Sequence, residues 1–214
     1  MAMTQIKNGV DFFEVIRERH SVRTYDPSYK MSRDELKELL DDAVKAPSSS
    51  NLQPWRFLVI DDQAVKEKLK PIAFNQKQVT EASAIIAILG DREAYKRAET
   101  IYGRGVEMGY MPADVAEAMT ERSVQAYGGM GAERQKDIAL VDGGLVAMQL
   151  MLAAKARGLD TVPMGGFDAD RLVEAFNVPK TYVPVMLVAV GKAAEPGRPT
   201  PRLSVDEVTQ WNSF

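Results

Sequence analysis

Residues 19–23, Arg-His-Ser-Val-Arg, are the densest group of chemically useful side chains in this sequence. They combine two arginines, the chain's only histidine and one hydroxyl at the predicted end of a helix. A guanidinium presents a rigid fork of donors that matches phosphate or carboxylate, and a serine hydroxyl adds a further hydrogen bond. The stretch therefore has the composition of an anion site. The alternative is a solvated helix end, where basic residues complement the negative end of the helix dipole.

A second polar stretch, residues 47–54, lies between two prolines and contains three serines, an asparagine and a glutamine. It leads into residues 55–60, whose aromatic and β-branched content predicts a strand. Neutral hydrogen-bonding groups of this kind suit a flat polar heterocycle. Together, the two stretches suit a ligand with a phosphate at one end and a heterocycle at the other.

The rest of the composition excludes several kinds of chemistry. There is no cysteine, so disulfides, thiolate nucleophiles and cysteine metal sites are ruled out. A single histidine rules out a His-rich metal site within one chain, and no residues form an obvious acid–base pair. We therefore expect no metal and no catalytic side chain. An enzyme of this kind would take its chemistry from a cofactor.

Net charge and hydropathy limit which binding partners and which cellular location we expect. The formal net charge of -3 argues against general nucleic-acid binding. We find neither a signal-peptide pattern nor an apolar run approaching the ~18 residues of a membrane span. We therefore expect a cytoplasmic protein with no nucleic-acid or membrane partner.

The elements that must position these residues follow from helix caps and apolar patterns. Asp11, Ser32 and Asp168 are each expected to cap a helix. Residues 84–90 and 182–191 are apolar on both faces, as strands are when helices cover both sides of a sheet. The alternation of helices and strands predicts an α/β or α+β fold with three layers, and one domain over residues 1–214.

Residues 91–131 interrupt this pattern and are rich in glycine, methionine and charge. Apart from a helix predicted over 113–127, we interpret them as an excursion from the sheet, serving as a lid or a dimer contact. Residues 132–157 then predict one helix of roughly 39 Å. Its internal glycines, Gly143 and Gly144, cost about 1 kcal/mol each relative to alanine. We therefore expect another backbone, in the core or in a second subunit, to approach them closely.

Four motifs, taken in order, resemble the nitroreductase family of FMN-dependent oxidoreductases. They are residues 19–23, residues 46–57 (Ala-Pro-Ser-Ser-Ser-Asn-Leu-Gln-Pro-Trp-Arg-Phe), residues 158–168 (Gly-Leu-Asp-Thr-Val-Pro-Met-Gly-Gly-Phe-Asp) and Arg202. The likeness spans nearly the whole chain with the family's approximate spacing, except over 91–131.

The resemblance implies an α+β, three-layer fold in which helices wrap a mixed sheet, built as an intertwined homodimer with two FMN molecules at the interface. It implies ping-pong hydride transfer, in which NAD(P)H reduces the flavin and a nitroaromatic or quinone acceptor is then reduced at the same place. One alternative is a specialised branch of the superfamily, for enone reduction or dehalogenation. Another is a non-catalytic flavin-binding module.

The resemblance also implies which residues hold FMN. The implied set draws on all four motifs and on one asparagine between them: Arg19, His20, Ser21, Arg23, Pro47, Ser48, Ser49, Asn51, Asn75, Met164, Gly165, Gly166 and Arg202. Residues 19–23 and Arg202 would hold the phosphate and ribityl chain, and residues 47–51 would reach the ring from the partner subunit. Asn75 would face the pyrimidine edge, and the backbone of residues 164–166 would lie near the reactive N5 and O4 edge.

Two positions depart from the family pattern. Some members carry a glutamate where Gly165 stands, so a charge near N5 is missing here. A second basic residue often lies two positions before the late arginine, where this chain has Thr200. Whether Arg198 takes that role is left open by the sequence.

Overall fold

A four-stranded sheet forms the centre of the computed structural model, which describes residues 10–214. Its strands are β1 (Trp55–Ile60), β2 (Ala84–Asp91), β3 (Asp160–Met164) and β4 (Tyr182–Gly191). They lie in the order β1-β2-β4-β3, and every neighbouring pair is antiparallel. Residues 1–9, part of the predicted domain, lie outside the described residues.

The α+β class is confirmed. We expected a mixed sheet, but all of its neighbouring strands are antiparallel. Parallel pairing among the described residues is limited to an isolated bridge between Ser21 and Thr161. Pro184 lies in the interior strand β4, beside the register shift between Ile88 and Leu89 of β2. A proline lacks the N–H that a ladder needs, so a bulge accommodates it there.

Helices flank the sheet on both sides. The α-helices are α1 (Phe12–Glu18), α2 (Arg33–Ala43), α3 (Gln63–Leu69), α4 (Gln78–Glu81), α5 (Ala98–Glu107), α6 (Ala113–Gly128), α7 (Ala132–Ala156), α8 (Ala169–Ala175) and α9 (Val205–Val208). Two 3-10 turns, Ser49–Asn51 and Ala94–Arg97, complete the described secondary structure.

The caps predicted from sequence are confirmed. The carboxylate of Asp11 accepts from the backbone N–H groups of Phe13 and Glu14 at the start of α1. Ser32 begins α2 with a complete capping box, and Asp168 begins α8. Each cap satisfies backbone donors that the first helical turn leaves unpaired.

The three layers follow from the alternation of side chains along β2, which is buried throughout. Its residues 85, 87 and 89 join the core cluster that contains Leu172 of α8. Residues 84, 86 and 88 join the opposite cluster, which contains Leu39 of α2 and Leu150 of α7. A strand with period two can serve both faces only if both positions are apolar, as here.

The long helix α7 packs along the sheet as a core helix, although it is long and apolar enough to cross a membrane. A Cβ on Gly143 would lie 2.6 Å from a Val185 methyl. This glycine therefore makes room for the Val185 side chain of β4, whereas we expected another backbone to approach it. A Cβ on Gly144 would meet nothing within 4 Å. Gly158, with φ +71, ends the helix as predicted.

The excursion after β2 is a helical hairpin. Helices α5 and α6 pack on each other and enclose a small core around Tyr102, Ala116 and Leu52. The helix expected over 113–127 is confirmed, whereas α5 was not predicted because it carries Gly103 and Gly105.

Candidate functional site

Residues 19–23 leave α1 and run against the start of β3. Ser21 forms the parallel bridge with Thr161, and the N–H of Val22 donates to the Thr161 carbonyl at 3.1 Å. Val22 is buried, whereas the Arg23 side chain is exposed. Extended backbone sends alternate side chains to opposite sides, so the burial of Val22 directs its neighbours outward. The anion-binding stretch is therefore fixed to the edge of the sheet.

The C-terminal tail crosses this stretch at Gly197. A Cβ there would lie 2.6 Å from His20 Cβ and 3.2 Å from the Ser21 carbonyl oxygen, so only glycine fits. Arg198 thus follows a residue in contact with residues 20–22. The His20 imidazole has a local partner, with Nδ1 2.9 Å from the Glu18 carbonyl.

Arg202 lies elsewhere on the tail in the single chain. Its guanidinium donates to the Thr200 carbonyl and hydroxyl, at 3.2 and 2.7 Å, and to the Pro201 carbonyl at 2.9 Å. The side chain is exposed, and no hydrogen bond among residues 10–214 joins it to residues 19–23. The structure thus brings Gly197, next to Arg198, into contact with the anion-binding stretch, whereas the Arg202 guanidinium is hydrogen-bonded to its own chain neighbours.

The other end of β3 presents open backbone. Met164 is buried, while Gly165 and Gly166 are exposed. A Cβ on Gly165 would meet no atom within 4 Å. Within the described part of the chain, no partner accepts from the N–H of either glycine. Two backbone amide donors are therefore free here, and the space beside Gly165 is open.

The Asn75 loop lies beside these glycines. Phe74 and Asn75 both have positive φ, 53 and 57. Such backbone in non-glycine residues costs free energy and persists where its surroundings enforce it. Gln76 enforces it here, because its amide donates to the Ala73 carbonyl at 3.1 Å and to the Gly166 carbonyl at 2.8 Å.

Two glutamines in this region were not among the predicted site residues. Gln76 ties its loop to Gly166, and the Gln78 side-chain amide donates to the Met164 sulfur at 3.3 Å and to Oε1 of Gln76 at 2.8 Å. The sequence signal was their position one and three residues after Asn75. Both act as supports that hold this loop against the end of β3.

One short strand therefore connects the two ends of the candidate site. Ser21 docks at Thr161, and the glycine pair begins just after Met164. Three residues of extended strand span about 10 Å at roughly 3.3 Å per residue. The geometry suits one elongated ligand with an anion at the Arg19 and Arg23 end.

Residues 47–51 form a separate group in the single chain. The Ser49 N–H lies 3.1 Å from both carboxylate oxygens of Asp142, and the Ser49 hydroxyl donates to Oδ1 at 3.1 Å. Ser50 is held by Tyr127 and Tyr102. Among residues 10–214, no hydrogen bond connects this loop to residues 19–23 or 164–166.

Asp142 is the most unusual ionisable residue near the predicted site. It is 1% exposed, and burial raises the pKa of its carboxyl even though the hydrogen bonds from Ser49 act in the opposite direction. Asp142 was not among the residues predicted from the sequence. A carboxylate within the most apolar part of α7 was the available signal.

Among residues 10–214, no three histidine, aspartate or glutamate side chains converge as a metal site would require. One further cation lies beside the anion-binding stretch. Lys77, not predicted, donates to the Thr24 hydroxyl at 3.0 Å, immediately after Arg23.

Comparison with known proteins agrees with this geometry. The model of the “Nitroreductase family” matches residues 16–192. The chain is 47% identical over 203 residues to the Bacillus subtilis protein named “Putative NAD(P)H nitroreductase YdgI”, covering 94% of this chain and 97% of that one. It is 35% identical to the “CLA biosynthesis enone reductase” of Lactiplantibacillus plantarum, covering 96% and 97%.

A solved structure has the same fold. The crystal structure of a “putative nitroreductase in complex with FMN” from Exiguobacterium sibiricum superposes with a TM-score of 0.92 at 45% identity. The match covers 96% of this chain and 99% of that one. The chain belongs to the nitroreductase family.

Proposed function

We propose that this protein is an FMN-dependent oxidoreductase that uses NAD(P)H to reduce nitroaromatics or quinones by ping-pong hydride transfer. The observation that carries the proposal is the β3 arrangement, which places an arginine pair at one end of the strand and open backbone donors at the other. The FMN bound to the E. sibiricum relative and the NAD(P)H in the names of relatives support the same conclusion.

The residues present fit FMN chemically. Arg19, Ser21 and Arg23 offer charge-assisted and neutral donors to a phosphate and a ribityl chain. Each charge-assisted hydrogen bond contributes about 1.5–3 kcal/mol, so two or three arginines give tight retention without a covalent bond. His20 contributes through its backbone, since Glu18 engages its imidazole. Arg198 directly follows Gly197, which lies against residues 20–22, so its side chain would reach the same anion.

The opposite end fits a flavin ring. The free N–H groups of Gly165 and Gly166, beside Met164, would face its N5 and O4 edge. A Cβ on Gly165 would meet no atom within 4 Å, and one on Gly166 would lie 3.6 Å from the Gln76 amide and 3.9 Å from the Phe74 ring. Fixed donors of this kind stabilise negative charge that develops during reduction. The exposed Asn75 amide would meet the pyrimidine edge. Bound FMN would supply the two-electron hydride chemistry, and the protein would orient it and exclude competing reactions.

We further propose a cytoplasmic homodimer whose partner completes the site. Less than half of the most apolar stretch of α7 is buried in the single chain. On this helix Val141, Leu145 and Met148 are exposed, as are Phe12 and Phe13 on α1. Apolar surface of this extent indicates an interface, and a second copy would present the same faces.

The dimer would bring the remaining predicted residues into place. Pro47, Ser48, Ser49 and Asn51 would approach the ring across the interface, since in the single chain they lie apart from β3. Arg202 would exchange its neutral acceptors for the phosphate.

An anaerobic absorbance titration tests the proposal. Purified protein should carry a flavin spectrum that NADH or NADPH bleaches, and a nitroaromatic or quinone should restore it. Bound flavin that neither nucleotide bleaches would refute the oxidoreductase. A colourless protein that takes up no added FMN would refute the cofactor itself.

Enone reduction is the second candidate. It is favoured by the L. plantarum relative, which matches at 35% identity over nearly the full length of both chains. An acceptor panel that includes an α,β-unsaturated ketone separates the two. Faster reoxidation by the enone than by any nitroaromatic or quinone would select this alternative.

A further inference from the structure

Asp142 is a buried carboxylate with no cationic partner among residues 10–214. It lies in α7 between the buried residues Ala139 and Val146, and its side-chain hydrogen bonds come from Ser49 alone. An unpaired buried carboxylate is unfavourable unless other groups satisfy it. Its presence in an otherwise apolar stretch of the helix points to a role outside the helix.

The loop that Asp142 contacts is strained. Ser50, Asn51 and Gln53 have φ values of 49, 53 and 48, all in the left-handed region that non-glycine residues rarely adopt. Strained backbone of this kind persists only where surrounding contacts enforce it, and it clusters at ligand sites. Ser49, which precedes the three strained positions, is the residue that Asp142 holds through both its N–H and its hydroxyl.

The polar groups of the loop are mostly engaged within the chain. Ser48 Oγ accepts from the Gln53 N–H at 3.0 Å, and the Ser50 hydroxyl lies 2.9 Å from the Tyr127 hydroxyl. Both donors of Ser49 go to Asp142. The Asn51 side chain remains exposed, and its amide nitrogen donates to no group in the described part of the chain. The loop therefore presents Asn51, while its serines fix the backbone.

We infer that Asp142 is a positioning residue for the cofactor loop: it holds Ser49 so that residues 50 and 51 keep their left-handed backbone and Asn51 faces the flavin. Ser49 then serves the site through Asp142 and does not donate to FMN. The inference rests on the proposed function, in which residues 47–51 approach FMN.

Asp142→Ala and Asp142→Asn test this role against a matched core variant, Leu150→Ala, which lies two turns further along α7 and makes no hydrogen bond to the loop. FMN affinity is measured by quenching of flavin fluorescence, and global stability by thermal unfolding of the apoprotein. Loop order is measured by amide hydrogen exchange over residues 48–53 of the apoprotein. Exchange at the loop reports positioning without any cofactor.

Asp142→Ala should raise the Kd for FMN by about tenfold or more, in line with the loss of hydrogen bonds to a charged group. It should also speed exchange at residues 48–53. Asp142→Asn should recover most of the affinity, because its amide oxygen still accepts from the Ser49 N–H. Leu150→Ala should lower the unfolding temperature at least as much, yet keep the Kd within about threefold.

Wild-type affinity and loop exchange in Asp142→Ala would overturn the inference. So would an equal loss of affinity in Leu150→Ala, because the effect would then follow global stability. If the wild-type protein binds no FMN, the proposed function fails. The exchange experiment would still decide whether Asp142 orders the loop.

Discussion

Removing the guanidinium of Arg23 should weaken FMN binding while leaving the fold intact. The side chain is exposed and donates in no hydrogen bond within residues 10–214, so the apoprotein does not depend on it. Its backbone is held independently, because the neighbouring Val22 is buried and bonded to Thr161. Arg23→Ala should therefore leave the thermal unfolding of the apoprotein and the dimer unchanged.

The magnitude follows from one lost charge-assisted contact. Hydrogen bonds to charged groups contribute about 1.5–3 kcal/mol, which corresponds to a rise in Kd of about 10-fold to 150-fold. Because Arg23 is exposed, solvent and salt screen its charge, and the lower end of this range applies. Added salt should reduce the difference between wild type and variant.

Fluorescence titration of the apoprotein with FMN measures the effect, and size-exclusion chromatography checks the dimer. Arg33→Ala is the matched control. Arg33 is also exposed, and its guanidinium pairs with Asp61 at 3.0 Å rather than with a candidate-site residue. The Arg33→Ala variant removes the same charge from the chain as Arg23→Ala does. An exposed salt bridge such as Arg33–Asp61 contributes little to stability.

Two results would refute the reasoning about Arg23. If Arg23→Ala purifies with a full complement of FMN and an unchanged Kd, Arg23 does not bind the phosphate. If Arg33→Ala weakens binding equally, the effect is one of net charge and not of contact.

Further predictions concern the glycines and the buried carboxylate. Gly165→Glu should leave the unfolding temperature unchanged, since a Cβ meets nothing within 4 Å, yet lower the flavin midpoint potential in a spectroelectrochemical titration by placing negative charge near N5. Gly143→Ala should lower the unfolding free energy by about 1–3 kcal/mol, because its Cβ would lie 2.6 Å from Val185. Gly144→Ala should raise the unfolding free energy by about 0.5–1 kcal/mol, because its Cβ would meet nothing within 4 Å. Denaturant melts measure both changes. The raised pKa of Asp142 means that the native state holds its proton more tightly than the unfolded chain, so the associated stability is complete at acid pH and lost as pH rises through the folded pKa. The unfolding free energy of wild type relative to Asp142→Asn should therefore fall between acid and neutral pH in denaturant melts.

Local signals in the sequence predicted much of the fold. Asp11, Ser32 and Asp168 cap helices through hydrogen bonds that reach only two or three residues along the chain. Residues 84–89 of β2 are all apolar and buried, so the central place of this strand follows from its own composition. These features need no knowledge of distant residues.

The connections within the site could not be predicted in the same way. Ser49 and Asp142 are separated by 93 positions, and Gln76 and Gly166 by 90, yet each pair is hydrogen-bonded. No local pattern specifies such pairs, because they depend on how the elements dock. The family resemblance supplied candidate residues, but it did not indicate that Asp142 engages both donors of Ser49.

The strand β3 shows why the site lies where it does. Pro163 in its middle has no N–H and cannot donate a ladder hydrogen bond. The order β1-β2-β4-β3 places it at an edge, where a missing donor leaves no ladder bond unmade. The same open edge receives Ser21 and Val22, whose N–H donates to Thr161. An interior strand would have no free edge for this docking, so the position that tolerates Pro163 also brings the arginines to one end of the strand whose other end leads into the glycine pair.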